Sequence, residues 1–327
     1  MTKGKTSVVT GGAGFIGSHL CEALLAKGER VFCLDNLLTG SKVNLNKAKK
    51  NPNFTFIRLD VTGKLPILGK IDYIFHLASP ASPRDYQDYP EETALVNSVG
   101  TRNLLRLAKT YGARFLFAST SEVYGESLEH PQRETYWGNV NPNGPRACYD
   151  ESKRFGEMLT MVYVRKYGVD ARIARIFNTY GPRMALNDGR VISNFIVQAL
   201  TGQEITVYGQ GQQTRSFCFV ADLVEGLIRL MNCQGCHTPV NLGNPEEYSI
   251  NELAQKILAM TNSPSPLAYR PLPPDDPIQR RPDITRAREL LDWQPSVPLT
   301  AGLEETIPYF VRKLGQNNYT VVANPAL

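Results

Sequence analysis

The sequence predicts an α/β fold, with a doubly wound parallel sheet followed on its C-terminal side by a smaller α/β lobe. Short apolar strands alternate with amphipathic helices through the first half of the 327 residues, the pattern of a parallel sheet that is covered on both faces. A glycine-rich turn, GGAGFIG at residues 11–17, separates the first strand from the first helix. After Phe177 the regular alternation of strands and helices ends, and Gly- and Pro-containing loops separate shorter helices.

The elements of the first half follow from apolar runs with strand or helix periodicity. The predicted strands cover residues 7–10, 31–34, 55–59, 73–77, 114–118 and 171–176. The predicted helices cover residues 14–27, 93–111 and 149–167. Because the last two helices carry long apolar stripes, we expect the protein to form a homodimer through them.

Changes in rhythm and composition also divide the chain. Residues 1–177 form the predicted sheet domain, and residues 216–243 return to it, because a helix beginning near Ala221 and a strand at Val240 suit the sheet. Residues 178–315 make up most of the smaller lobe. Residues 316–327 lack apolar periodicity, which predicts a flexible tail.

Composition and charge exclude some classes of protein. The 36 Lys and Arg residues, 31 Asp and Glu residues and 42% hydrophobic content are typical of a globular protein with a mild positive charge. Long like-charge runs and basic-aromatic interleaving do not occur, so we expect an anionic small substrate rather than nucleic acid. The polar start at residues 1–6 and the lack of a long apolar stretch predict a cytoplasmic protein with no membrane segment.

The six cysteines are scattered along the chain, and we expect no disulfide framework. The string Cys233-Gln-Gly-Cys236-His237 matches the attachment pattern of c-type haem. It lies between a predicted helix and the strand at Val240, and we interpret the match as coincidental. The sequence therefore predicts neither haem nor a metal site.

The glycine-rich turn is the first functional motif. Gly12-x-Gly14-x-x-Gly17 follows a strand and opens a helix, which is the setting of a Rossmann-type dinucleotide site. Glycine lets the backbone approach a pyrophosphate, and the helix N-terminus supplies amide donors. The alternative is a turn that only packs a helix against a strand.

Asp35 ends the second predicted strand, where a carboxylate would accept the ribose hydroxyls of NAD and repel the additional phosphate of NADP. The alternative is an aspartate that merely caps a loop. We expect the loops after the third and fourth strands to meet the cofactor as well, at Asp60-Val61 and within residues 76–79. The predicted NAD site comprises Gly11, Gly14, Phe15, Ile16, Gly17, Asp35, Asn36, Thr39, Gly40, Asp60, Val61, Leu77, Ala78, Ser79 and Ala118, together with Tyr149 and Lys153.

Tyr149 and Lys153 are the predicted catalytic pair. At positions i and i+4 they share a helix face, so the ammonium can favour the ionised phenol and make it a base. Lys153 can also hold the nicotinamide ribose. Thr120 follows the fifth strand, where ligands of parallel sheets bind, and can hydrogen-bond to both Tyr149 and a sugar hydroxyl. Taken alone, the pair has an alternative interpretation as part of a surface helix.

Longer strings carry a resemblance to a known family. They are HLASPASP at 76–83, STSEVYG at 119–125, GPRACYD at 144–150, RIFNTYGPR at 175–183, NDGR at 187–190 and VYG at 207–209. To about Leu314 the chain resembles the extended short-chain dehydrogenase/reductase family, the NAD-dependent epimerases and dehydratases. Within this family it is most similar to the enzymes that decarboxylate UDP-glucuronate.

The resemblance implies a closed redox cycle with bound NAD. C4 of UDP-glucuronate is oxidised, carbon dioxide leaves from the resulting β-keto acid, C5 is reprotonated, and hydride returns to C4 to give UDP-xylose. By the same resemblance Glu122 assists decarboxylation, Arg280 contacts the reacting sugar, and Asn178, Arg190, Tyr208 and Arg215 hold the nucleotide. Surface ion pairing is the alternative role for each of these arginines.

Ser121 favours an acid substrate. Related 4,6-dehydratases have Asp at this position, and a second carboxylate would repel the C6 carboxylate of the sugar, whereas a serine can donate a hydrogen bond to it. Leu95-Val96 depart from the Lys-Thr that is usual in the decarboxylases, a difference that bears on cofactor retention. The alternatives are a 4-epimerase, a 4,6-dehydratase, an enzyme that releases UDP-4-keto-pentose with NADH, and an NAD-binding sensor without catalysis.

Overall fold

A parallel sheet of seven strands lies at the centre of the computed structural model, which describes residues 4–272 and 279–323. The strands within these residues are β1 Thr6–Thr10, β2 Arg30–Asp35, β3 Phe54–Arg58, β4 Tyr73–His76, β5 Arg114–Thr120, β6 Ala171–Ile176, β7 Thr179–Tyr180, β8 Ile205–Tyr208, β9 Thr214–Ser216, β10 Cys218–Phe219, β11 Val240–Leu242, β12 Glu247–Ser249, β13 Leu267–Arg270 and β14 Gln279–Arg280. The α-helices there are α1 Phe15–Ala26, α2 Pro83–Asp88, α3 Pro90–Leu95, α4 Thr101–Tyr111, α5 Ala147–Tyr167, α6 Val191–Thr201, α7 Val220–Asn232, α8 Ile250–Thr261, α9 Thr285–Leu291 and α10 Leu299–Gln316.

The strand order of the large sheet is β11-β6-β5-β4-β1-β2-β3, and neighbouring strands are parallel. The order runs outward from β1 in both directions, so the chain reverses its winding between β3 and β4. The loops that leave β1 and β4 diverge at this point and open a crevice at the carboxyl ends of the strands. The predicted fold class is confirmed.

Alternate residues of the central strands face opposite sides of the sheet, as strand geometry requires. One buried cluster joins α1 and α7 to the sheet residues Val9, Val31, Cys33, Phe75 and Leu116. The other joins α4 and α5 to the sheet residues Val8, Phe32, Leu34, Ile74, Phe115 and Phe117. Because both faces are covered, the strands are apolar almost throughout, and this is why the sequence pattern was informative.

The smaller sheets lie in the C-terminal half. β9 lies between β12 and β14, and β8 pairs with β13. The strand Val240–Leu242 belongs instead to the large sheet, where it pairs with β6. The predicted division into domains remains a proposal.

The helix predicted over residues 93–111 is longer and less regular in the structure. It begins at Pro90, because proline is favoured in the first helical turn, where its missing N–H needs no partner. Residues Val96–Gly100 then form a π-helical segment before α4. In this segment the Asn97 Nδ2 atom donates to Ser79 Oγ at 3.1 Å and to Ser152 Oγ at 3.0 Å, so the segment links the loop after β4 to α5.

Two further features concern the predicted tail and the cysteines. In the described part of the tail the amides of Val322 and Ala323 donate to Leu200 O, and Ala323 is buried, whereas Tyr319 and Val322 are exposed. In the turn after α7 the side chains of Cys233 and Cys236 lie against each other, with their Cα atoms 5.9 Å apart. The other four cysteines are free.

No helix in residues 4–272 or 279–323 is long and apolar enough to cross a membrane. In the same part of the chain, no group of three His, Cys, Asp or Glu side chains is arranged to hold a metal ion.

Candidate active site

A cleft of about 920 Å³ lies at the carboxyl ends of the strands, and residues of the C-terminal half form its other wall. The predicted cofactor residues that line it are Gly11, Gly14, Phe15, Ile16, Gly17, Asp35, Asn36, Thr39, Gly40, Asp60, Val61, Leu77, Ala78, Ser79 and Ala118. The predicted catalytic and substrate residues that line it are Thr120, Ser121, Glu122, Tyr149, Lys153, Asn178, Arg190, Tyr208, Arg215 and Arg280. The fold therefore gathers all of these positions in one cleft.

The glycine loop fits a dinucleotide because two of its glycines are needed for packing and a third faces the cleft. A Cβ on Gly11, whose φ is +68°, would lie 2.7 Å from the Ala78 amide nitrogen, and one on Gly17 would lie 2.2 Å from Gly11 O. A Cβ on Gly14 would meet only Gly11 O, at 3.2 Å, on the protein side. The same loop, at the N-terminus of α1, therefore packs against the protein through Gly11 and Gly17 and faces the cleft at Gly14.

Asp35 closes this loop against β2. Its Oδ2 accepts from the Ala13 amide at 2.9 Å and its Oδ1 from the Leu37 amide at 2.8 Å. Burial raises the pKa of the carboxyl group, and these two hydrogen bonds oppose the rise. Asp35 therefore has a structural role in addition to the predicted contact with ribose. The neighbouring Asn36 donates to Asp60 Oδ2 at 3.0 Å, which ties the ends of β2 and β3 together.

His76 lies outside the cleft, although the residues that follow it line the wall. Its Nδ1 is 2.8 Å from Thr10 Oγ1 and its Nε2 is 3.1 Å from Thr101 Oγ1. Burial, with a smaller contribution from Lys153, lowers the pKa of His76 to about 3, so the ring is neutral. Its role is to join β4 to β1 and α4.

Tyr149 lies at the start of α5 with its ring stacked on that of Tyr86, at a centroid distance of 5.0 Å and an interplanar angle of 9°. Burial raises the pKa of the Tyr149 phenol to about 12, and a hydrogen bond with Thr120 opposes this rise. The sequence predicted a phenol whose ionised form Lys153 would favour. In the structure the pKa of the phenol is raised, because the effect of burial is larger than that of the hydrogen bond with Thr120.

Lys153 is positioned by a backbone carbonyl. Its Nζ donates to Ala118 O at 2.8 Å and lies 5.7 Å from the centre of the Tyr149 ring. Burial lowers the pKa of Lys153 to about 7. The predicted neighbours are therefore adjacent, but the hydrogen bond of the ammonium goes to β5 instead of the phenol.

Glu122 is held between two arginines in the 3₁₀ turn Ser121–Tyr124 that follows β5. Its Oε2 accepts from Arg146 and from Arg280 Nη2, the latter at 3.3 Å, and Ser121 Oγ lies 3.3 Å from its Oε1. Burial alone would raise the pKa of Glu122, but Arg280, then Arg146 and Arg215, outweigh it and lower the pKa to about 2. Glu122 is an anion at neutral pH.

The substrate-side arginines are not simple surface groups. Arg190 forms a two-point ion pair with Asp188, at 2.5 and 2.7 Å, and lies 5.8 Å above the Phe15 ring. Arg280 is almost completely buried, and its Nη1 also donates to Gly125 O at 3.0 Å. Tyr208 is partly exposed at the edge of the cleft, which suits a ring that meets a ligand from outside.

Sequence reasoning missed Arg146 and Tyr86. Arg146 lies within the GPRACYD string, three residues before Tyr149, but its sequence separation of 24 residues from Glu122 gave no sign that the two form an ion pair. Tyr86 belongs to α2, lines the cleft, and has a buried hydroxyl that finds no hydrogen-bond partner among the described residues. Neither the ion pair of Arg146 with Glu122 nor the stacking of Tyr86 on Tyr149 follows from a local sequence motif.

This chain is similar in sequence to known proteins of one family. A model of the NAD dependent epimerase/dehydratase family matches residues 7–243. The chain is 55% identical over 313 residues to UDP-glucuronic acid decarboxylase 2 of Arabidopsis thaliana, covering 95% of this chain and 69% of that protein. It is 54% identical over 310 residues to UDP-glucuronic acid decarboxylase 1 of Danio rerio, covering 95% of this chain and 73% of that protein.

A solved structure gives a further likeness. UDP-glucuronic acid 4-epimerase from Bacillus cereus, in complex with UDP-glucuronic acid and NAD, superposes with a TM-score of 0.85 at 29% sequence identity. The superposition covers 94% of this chain and 99% of that one. Its described ligands are a dinucleotide and an acidic UDP-sugar.

Proposed function

This chain belongs to the NAD dependent epimerase/dehydratase family, and from that premise we propose that it decarboxylates UDP-glucuronate to UDP-xylose with NAD as its cofactor. The observation that carries the proposal is one cleft lined by Tyr149 and by an anionic Glu122 that two arginines hold, in a chain 54–55% identical to two UDP-glucuronic acid decarboxylases. One cleft thus contains groups suited to oxidising a sugar alcohol and to handling an acid.

Tyr149 takes the proton from the C4 hydroxyl of the sugar, and Thr120 orients both oxygens. NAD would be held by Gly11, Gly14 and Gly17 of the glycine loop together with Asp35, and it would supply the acceptor for the C4 hydride and the donor that returns it. Lys153, held at Ala118 O, lies next to the phenol and offers N–H groups to a ribose. Burial raises the pKa of the Tyr149 phenol to about 12, so the phenol has to lose its own proton to solvent before it can take the one from the C4 hydroxyl.

Ser121, Glu122 and Arg280 act in the decarboxylation and in the reprotonation of C5. The ketone at C4 lies β to the C6 carboxylate, so the electron pair left by carbon dioxide is delocalised as an enolate. Arg280 and Arg146 keep Glu122 ionised in the described cleft, so this residue accepts hydrogen bonds there. It is suited to orienting a water that gives its proton to C5, after which the remaining hydroxide takes up a proton from solvent, while Arg280 fixes the C6 carboxylate in place.

Four finer statements belong to the same proposal. Asp35 favours NAD over NADP, and the cofactor stays bound through the redox cycle, so that there is no net oxidation. Residues of α4 and α5 form a homodimer interface. The mild charge and ordinary composition suit a cytoplasmic location.

The test is incubation of the purified protein with UDP-glucuronate and NAD in D₂O, followed by mass analysis of the product. We expect release of carbon dioxide and formation of UDP-xylose with one non-exchangeable deuterium, because C5 is reprotonated from solvent. Tyr149→Phe, which keeps the ring stacked on Tyr86, is the matched control and should give no product while still binding NAD.

Each rival has its own signature in this experiment. A 4-epimerase gives a product of unchanged mass and no carbon dioxide. Release of the 4-keto-pentose gives carbon dioxide with NADH in equal amount. A 4,6-dehydratase leaves UDP-glucuronate unchanged but removes water from a neutral sugar nucleotide, and any of these three results refutes the proposal.

A further inference from the structure

A buried carboxyl group next to the candidate active site has no role in the chemistry described above. Asp150 follows Tyr149 in α5 and is 7% exposed. Within the described residues its Oδ1 has no hydrogen-bond partner. Its Oδ2 lies 4.0 Å from Nε of Arg146, one helical turn away. A charged oxygen without a donor is costly at such a site, so a neutral carboxyl group is favoured.

Arg146 connects Asp150 to the reacting centre, because the same guanidinium is ion-paired with Glu122. Arg146 and Glu122 both line the cleft, whereas Asp150 does not. Arg146 therefore lies between two carboxyl groups, one of which, Glu122, is firmly ionised. The charge on the other contributes to the electrostatic potential that Arg146 presents to a ligand in the cleft.

Charged and titratable groups face Asp150 from four elements. They are Glu122 from the turn after β5, Arg280 from β14, Tyr86 from α2, and Arg146, Tyr149 and Glu151 from α5 itself. Burial and then Glu122 raise the pKa of Asp150 to about 7, against the opposing effects of Arg146 and Arg280. Its charge therefore changes in the neutral range.

We propose that Asp150 is a positioning residue which, through Arg146, makes the binding of an acidic UDP-sugar dependent on pH. The inference rests on the proposed function, since it requires a carboxylate on the substrate. Neutral Asp150 leaves Arg146 aligned with Glu122 and available to the C6 carboxylate. Ionised Asp150 attracts the guanidinium and adds a negative charge to a site that must accept another one.

The direction of the effect follows from the charge. Asp150 is neutral below its pKa and charged above it, so affinity for the acidic sugar falls as the pH rises. Binding of the acidic sugar to the charged form drives Asp150 to take up a proton, by linkage. UDP-xylose has the same nucleotide and lacks the carboxylate, so it should show neither effect.

The experiment is calorimetric titration of the protein loaded with NADH, which cannot oxidise C4, with UDP-glucuronate and with UDP-xylose. We expect the ratio of the two dissociation constants, acid over neutral, to increase about tenfold between about pH 6 and about pH 8. Titrations near neutral pH in buffers of different ionisation enthalpy should show proton uptake with UDP-glucuronate alone. Asp150→Asn should abolish the uptake and keep the ratio near its low-pH value.

Glu151→Gln is the matched control, because it removes the same charge from the next residue, where the carboxylate faces Arg154 at 3.6 Å. It should retain the pH dependence of the wild type. A flat ratio in the wild type, or a ratio in Asp150→Asn that still changes with pH, overturns the inference and leaves the proposed function intact. Failure of UDP-glucuronate to bind at every pH overturns both. The wild-type proton uptake decides the matter even if Asp150→Asn does not fold.

Discussion

Glu122 is a carboxylate that remains charged inside the protein because cations from distant parts of the chain surround it. Arg146 reaches it from the start of α5 and Arg280 from β14. Removing one partner of such a buried pair leaves the others uncompensated, so the residue contributes to stability as well as to chemistry. Both effects have to be separated in any test of its role.

We expect Glu122→Gln to slow carbon dioxide release about 100-fold, while affinity for UDP is almost unchanged. The free energy of unfolding should fall by about 3 kcal/mol, because the buried Arg280 and the half-buried Arg146 lose their shared anion. Rapid-quench measurement of carbon dioxide together with NADH absorbance separates the steps. NADH should accumulate, because C4 is still oxidised at the normal rate while loss of carbon dioxide from the 4-keto intermediate is slow.

Glu129→Gln provides the control for this variant, since Glu129 is an exposed carboxylate in the same segment between β5 and α5. It should match the wild type in both rate and stability. Carbon dioxide release at the wild-type rate in Glu122→Gln would remove Glu122 from the mechanism.

Tyr149 and Lys153 show what a motif predicts at the scale of residues. Their spacing correctly indicated that both side chains reach one cleft, because i and i+4 positions share a helix face. It did not indicate that the pKa of the phenol would be raised or that Lys153 would donate to Ala118 O. These properties depend on burial and on the strand beneath the helix, which sequence spacing does not encode.

At the scale of elements, α5 carries Tyr149 and Lys153, the proposed catalytic pair, and its distance from the sheet is set by Gly156. A Cβ at this position would lie 2.3 Å from Cζ of Phe117 and less than 3 Å from two further atoms of the same ring. The glycine lets the helix lie directly on β5, and the same close approach allows Lys153 to reach Ala118 O. Helix packing and active-site geometry therefore share one cause.

Gly156→Ala should lower the free energy of unfolding by about 1–3 kcal/mol, because the new methyl group pushes α5 away from Phe117. Turnover should fall as well, since Tyr149 and Lys153 move with the helix. Gly315→Ala is the matched control: this glycine is also inside a helix, α10, but a Cβ there meets nothing within 4 Å. The control should be stabilised by about 0.5–1 kcal/mol.

Urea unfolding monitored by circular dichroism measures both variants. Equal stabilisation of the two would show that α5 does not need the close contact with β5.

The π-helical segment before α4 is an element of another kind. The apolar stripe predicted a helix there, but only the contacts of Asn97 with Ser79 and Ser152 explain its local geometry.

At the scale of the whole molecule, α5 presents an exposed apolar stripe. Phe155, Met158 and Val162 are 44%, 48% and 38% exposed and follow helical spacing on one face. Contiguous apolar surface of this kind is typical of a protein interface. This is the face through which we proposed the homodimer.

Met158→Glu should convert the dimer to a monomer at micromolar concentration, because two like charges would face each other across a symmetric interface. Size-exclusion chromatography with light scattering gives the mass directly. Ile67→Glu is the control: Ile67 is 91% exposed and lies between β3 and β4, away from this stripe. A wild-type protein that is monomeric, or a Met158→Glu variant that stays dimeric, contradicts the proposed interface.

The sequence by itself determined the parallel sheet, the glycine cradle and the placement of Tyr149 and Lys153 on one helix face. Each depends on residues close together in the chain, where periodicity and turn chemistry are sufficient. The tertiary structure alone decided which charges meet. Arg280 is 158 residues from Glu122, Tyr86 stacks on Tyr149, and Asp150 is buried beside Arg146. Ionisation depends on burial and on neighbours that only folding brings together.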